Sequence, residues 1–97
     1  MIHRRAFEVY LNGQKLCVAG IGDDGVLNTM IDHVMGDGHN EVRLRVGGMI
    51  SSEQFVTWIS RGIRTGDEVR VRIVEAASID KPRKRQRCDP AQRGTRS

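Results

Sequence analysis

Three histidines, two cysteines and one acidic turn are the residues of this 97-residue chain whose types suit metal binding or covalent chemistry. His3, His33 and His39 are the only histidines, with His33 beside Asp32 and His39 in an Asp37-Gly38-His39 loop. A metal site built on them needs at least two further ligands from distant positions, and no spacing in the chain identifies those. Cys17 and Cys88 are too few and too far apart for a metal-binding spacing, and Cys88 falls in a C-terminal tail expected to be disordered, so no structural disulfide is predicted. Cys17 with a histidine would form a nucleophile pair only with a supporting acid and an oxyanion loop, and neither is present as a pattern. The sequence therefore predicts no metal, no cofactor and no enzyme.

Two further patterns invite a chemical reading and lose it. Asp23-Asp24 could hold a cation, but carboxylates placed before an apolar run are accounted for by helix capping. Gly20-Ile21-Gly22-Asp23-Asp24-Gly25 has the Gly-x-Gly-x-x-Gly spacing of a dinucleotide loop, between a predicted strand and a predicted helix. That strand belongs to an antiparallel hairpin and the two aspartates repel a pyrophosphate, so the fingerprint is rejected.

What remains is recognition by charged and aromatic surfaces. Glu41-Val-Arg-Leu-Arg-Val46 and Glu68-Val-Arg-Val-Arg-Ile73 share one alternation of charged and apolar residues, which marks two half-buried strands. Ala6–Leu11 also alternates and is followed by Asn12-Gly13, a strong hairpin signal, so Gln14 to about Gly20 returns as a second strand. From Gly25 to Met35 the apolar residues Val26, Leu27, Met30, Ile31, Val34 and Met35 recur at i, i+1, i+4, i+5, i+8 and i+9. That spacing predicts one amphipathic helix, closed by Gly36-Asp37-Gly38, in which Leu27→Ala or Ile31→Ala would cost roughly 2 to 5 kcal/mol. Glu53–Ile59 is read as a short fourth strand, and Gly47-Gly48 as a turn or bulge.

Hairpin, helix, strand, short strand, strand is an α+β order. One helix covers one face of a sheet and leaves the other wet, which is the β-grasp plan of ubiquitin-like domains: a mixed sheet in the order second, first, fifth, third, with the fourth strand on the edge. An antiparallel third and fifth strand would set Glu41 opposite Arg72, Arg43 opposite Arg70 and Arg45 opposite Glu68. Tyr10, Arg43, Arg45, Arg70 and Arg72 would then share the exposed sheet face as an interaction surface, with Trp58 on the edge strand as a second candidate.

Length and composition bound these readings. Residues 1–80 form one domain with nine basic and eleven acidic residues, net −2, whereas residues 81–97 carry seven basic and one acidic, net +6. The pI near 9.7 thus belongs to a basic C-terminal tail, expected to be disordered, in which Lys81, Arg83, Lys84, Arg85 and Arg87 could hold phosphates. Two unpaired cysteines, no apolar leader and no run of about 20 apolar residues suggest a cytoplasmic protein that does not enter a membrane.

Leu11-Asn12-Gly13, Ala19-Gly20, Gly25-Val26-Leu27, Val46-Gly47-Gly48, Trp58 and Gly66-Asp67-Glu68-Val69 are motifs of a family of small uncharacterised bacterial proteins, which this chain resembles over roughly residues 7–80. The resemblance implies the ubiquitin-like fold and no activity. Ubiquitin-like modifiers and sulfur carriers act through a terminal Gly-Gly, whereas this chain ends Gly94-Thr95-Arg96-Ser97. Two functions are therefore expected to compete: a non-enzymatic module binding an unknown protein through its sheet face or edge strand, and a nucleic-acid-associated protein using the tail. One suitable aromatic, Tyr10, is few for single-strand binding, which favours the first.

Overall fold

The computed structural model describes residues 4–22, 25–50 and 54–87. The chain begins with Arg4–Leu11 (β1), which turns at Asn12-Gly13 into Gln14–Ala19 (β2). Asn12 and Gly13 have φ of 52° and 84°, the left-handed pair that a two-residue type I′ hairpin demands. The last strand of this unit, Val69–Ala76 (β6), pairs antiparallel with β1 from Arg4↔Ala76 to Leu11↔Val69, giving a three-stranded sheet in the order β2-β1-β6.

The predicted helix is absent. Gly25–Gly36 is a twelve-residue strand (β3) paired residue for residue with His39–Ile50 (β4), and the fold is all-β, not α+β or β-grasp. Two features of the sequence decide this. Asp37-Gly38 has φ of 47° and 81° and is a second type I′ turn, joining the strands at Gly36↔His39 where a helix stop was expected. Val26, Asn28, Thr29, Ile31, Asp32, His33 and Val34 are also weak helix formers, several of them β-branched. The apolar doublets that suggested a helical stripe place Leu27, Ile31 and Met35 on one face of the strand and Val26, Met30 and Val34 on the other.

Gln54–Ile63 (β5) pairs with β4, and Lys84–Arg87 (β7) pairs with β5, completing a four-stranded antiparallel sheet in the order β3-β4-β5-β7. Part of the basic run expected to be a disordered tail is thus an edge strand. Where Gly47-Gly48 is read as a turn or bulge, no turn forms; register shifts between Val46 and Gly47, and the extra residue is Trp58 on β5. β4 does not stop at Gly47-Gly48 but runs through them, because only glycine fits there. A methyl on Gly48 would overlap the Val26 carbonyl, and one on Gly47 would stand 2.6 Å from the Val56 carbonyl.

The two sheets face each other across one core. Val9, Cys17 and Ala19 come from the first sheet and Leu44, Val46, Val56, Trp58 and Ile59 from the second, each no more than 7% exposed. Full burial of a Val or Leu side chain contributes about 1.5–3 kcal/mol, so this cluster is the main adhesive between the sheets. The sheets come together where β2 crosses β5, and the connection after β6 ties them. There the Asp80 amide donates to the Val18 carbonyl (2.9 Å), the Val18 amide donates to the Asp80 carboxylate (2.8 Å), and Trp58 Nε1 donates to the Asp80 carbonyl (2.8 Å). On the opposite side, where β3 and β6 are the sheet edges among the described residues, a cleft separates the two sheets.

Candidate interaction surface

Alternation along the strands sends the arginines to different places. Tyr10, Arg70 and Arg72 lie on the outer face of the three-stranded sheet, where Tyr10 Oη donates to Glu8 Oε1 at 3.0 Å and Arg72 reaches the same oxygen at 3.4 Å. The Arg70 guanidinium stands 6.0 Å from the Tyr10 ring centroid. Arg43 and Arg45 lie on the outer face of the other sheet, which looks the opposite way. Arg45 pairs with Asp32 at 3.2 Å, and Arg43 donates to Ser60 Oγ at 3.3 Å.

The predicted common arginine face is therefore not formed. Arg43 opposes Asp32 and Gly62, Arg70 opposes Tyr10, and Arg72 opposes Glu8, because β4 and β6 belong to different sheets. These exposed pairs contribute at most about 1 kcal/mol each. Trp58 is not a surface anchor either: β5 is flanked by β4 and β7, and the ring is 3% exposed. Of the basic run, Lys81 is exposed, the Arg83 amide donates to the Thr57 carbonyl, and Lys84, Arg85 and Arg87 lie on β7.

The residues considered for chemistry stay apart. His33 Nε2 donates to Asn40 Oδ1 at 2.8 Å, and among the described residues no group of three His, Cys, Asp or Glu is arranged to hold a metal. His3, Asp23-Asp24 and Cys88 lie outside the described residues. Cys17 is buried, and desolvation followed by the charge of Asp80 pushes its thiol up to about 11, so it is protonated at neutral pH and poorly suited to attack. Gly20-to-Gly25 lacks the following helix that a phosphate loop needs, and Gly20 is closed over by Ile79 and Ala6.

The feature not anticipated is β3. It forms one edge of its sheet, yet Val26, Met30, Ile31, Val34 and Met35 along it are 41–69% exposed. Both of its faces border hollows. On the inner face a cleft of about 550 Å³ runs between Leu27, Thr29 and Ile31 of β3 and Phe7, Val69 and Val71 of the other sheet. On the outer face a depression of about 490 Å³ has Gly47-Gly48 as its floor and Val26, Met30 and Phe55 on its rim.

No protein-family model, curated protein or solved structure matches the chain. The signal of the β3 edge was present in the sequence as apolar residues on both faces of a strand, the pattern of a strand covered on two sides. Among the described residues no helix is long and apolar enough to cross a membrane.

Proposed function

We propose that the protein is a non-enzymatic protein-interaction module that binds by adding a partner strand to the β3 edge. The observation that carries this is the run of five exposed apolar side chains on a twelve-residue edge strand with hollows on both faces. A strand edge offers main-chain hydrogen bonds for affinity, and the hollows beside it accept alternate side chains of the incoming segment. Arg43, Arg45, Arg70 and Arg72, divided between two faces and partly engaged, support recognition less than β3 does.

The test is capture from native lysate with three baits: the parent chain, a Val26→Lys/Val34→Lys variant, and a chain lacking residues 81–97. The expected result is a protein that protects β3 amides from hydrogen exchange, is retained by the parent and the truncated bait, and is lost with the lysines. Retention unaffected by the lysines overturns the proposal.

A second reading, association with nucleic acid, rests on β7. Its pairing puts Lys84 beside Thr57 on the outer face that also carries Arg43 and Arg45. If phosphates bind there, affinity for any duplex should fall steeply as salt rises and should vanish in the truncated chain.

A further inference from the structure

We infer that the occupant of the β3 edge is β3 of a second copy of this chain, paired antiparallel about a two-fold axis; this rests on the interaction reading above and names its partner. The composition of the strand is that of a sheet centre. Between Gly25 and Gly36 the only ionisable side chains are Asp32 and His33, and both are engaged, with Arg45 and Asn40. Other edges carry the charges that discourage pairing: Lys84, Arg85 and Arg87 on β7, Arg70, Arg72 and Glu75 on β6, Lys15 on β2.

Self-pairing also has a favourable register. A two-fold axis normal to the sheet keeps outer face with outer face, so paired residue numbers must sum to an even value. With a sum of 60, Val26 meets Val34, Met30 meets Met30 and Asn28 meets Asp32 on the outer face. On the inner face Leu27 meets His33 and Thr29 meets Ile31. On the outer face valine joins valine and methionine joins methionine, and the Asp32 carboxylate gains an amide neighbour. A sum of 64 would instead set Asp32 against its own copy, which like charges disfavour.

The extent of the contact agrees. The eleven residues this register pairs, 25–35, span about 36 Å at roughly 3.3 Å per residue, and over the 16 Å shortest dimension of the molecule this gives about 580 Å² per partner, near the lower end of specific interfaces, which centre on roughly 800 Å². Pairing would cover the inner cleft lined by Thr29, whose buried Oγ1 has no hydrogen-bond partner among the described residues. It also closes: two four-stranded sheets become one of eight strands whose outer edges are both β7, so the contact consumes the open edge and cannot propagate.

Sedimentation equilibrium of the full chain from 1 to 100 μM is expected to return twice the 10.9 kDa monomer mass. Val26→Lys/Val34→Lys, checked for folding by circular dichroism, should weaken association by about 100-fold or more. Independently, Met30→Cys in a Cys88→Ser background should cross-link into a dimer on mild oxidation, since facing Cα atoms about 4.5–5.5 Å apart suit a disulfide, whereas Lys15→Cys should not. A monomeric parent across that range, or a dimer indifferent to both sets of changes, overturns the inference. If a monomeric parent still captures another protein through β3, only the second copy is refuted; if β3 captures nothing, the interaction reading falls with it.

Discussion

β3 and β7 are the two edges of one sheet, and they could hardly be built more differently. β7 is four residues long, carries Lys84, Arg85 and Arg87, and is reached by a connection whose Asp80 and Arg83 are hydrogen-bonded to β2 and β5. β3 is twelve residues long, apolar on both faces, and ends in a hairpin tip where Val34 and Met35 stand exposed. Short, charged edges are how sheet proteins avoid unwanted pairing; a long apolar edge invites it. One sheet therefore contains a guarded side and an open side, and interaction is assigned to the open one.

The sharpest way to break this contrast is to compare side chains behind the two edges. Trp58→Ala, beside β7, removes a buried ring and its hydrogen bond to Asp80, and should lower stability by about 3–5 kcal/mol in urea melts. Ile31→Ala on β3, where the side chain is 55% exposed, should cost less than about 1 kcal/mol at concentrations that keep the chain monomeric. Equal losses would mean that β3 is packed within the monomer after all.

Exchanging the character of the guarded edge is the next test. Lys84→Val/Arg85→Val gives β7 the apolar quality of β3 without touching the core. A chain with two open edges can no longer close on itself, so light scattering should report growth beyond a dimer with rising concentration. Unchanged scattering would show that charge is not what guards β7.

The junction on the guarded side also makes stability depend on pH. The Cys17 thiol is raised from 9.0 to about 11, chiefly by burial and then by Asp80. Between those values the folded chain holds a proton that the unfolded chain has lost, so stability is full below about pH 9 and falls as pH rises toward 11. Cys17→Ala should remove that alkaline loss. Asp80→Asn should shift thiol alkylation to lower pH, and an unshifted profile would exclude the carboxylate as a cause.

How much of this was legible in the sequence depends on how local the signal is. Asn12-Gly13 names its own hairpin, and the alternation in 41–46 and 68–73 names two strands, because turn dihedrals and a period of two are properties of adjacent residues. Asp37-Gly38 carried the same turn signal as Asn12-Gly13 but stood after apolar doublets that also fit a helical stripe, so it was read as a stop. Partners were harder. Glu41 and Arg45 offered attractive pairings with Arg72 and Glu68, but Arg72 finds Glu8 on β1 and Arg45 finds Asp32 on β3. Pairs worth 0.2–1 kcal/mol each cannot select among such alternatives. The open edge was hidden for the same reason: its apolar residues were spent on an imagined core.

The two hairpin turns extend the contrast to its smallest scale. Asp37-Gly38 is exposed at the tip of the open edge, whereas Asn12 is fastened to the turn before β6. Its amide donates to the Glu68 carbonyl (2.8 Å), its Nδ2 to Asp67 (3.0 Å), and its Oδ1 accepts from the Glu68 amide (2.9 Å). The Asp67 carboxylate also accepts from the Arg64 amide (2.8 Å). These bonds, the Asn12 side chain first, hold the Asp67 carboxyl below its ordinary value of 3.8. A lowered carboxyl stabilises the fold above that value and ceases to do so as pH falls through the folded one. Asp67→Asn should therefore lower the urea midpoint slightly at pH 7, and the difference from the parent should shrink as pH drops below 3.8. Asp37→Asn, at an exposed tip without those hydrogen bonds, should leave the midpoint at pH 7 where it was. Were the two substitutions to behave alike, the hydrogen bonds around Asn12 would not be what distinguishes the fastened turn from the free one.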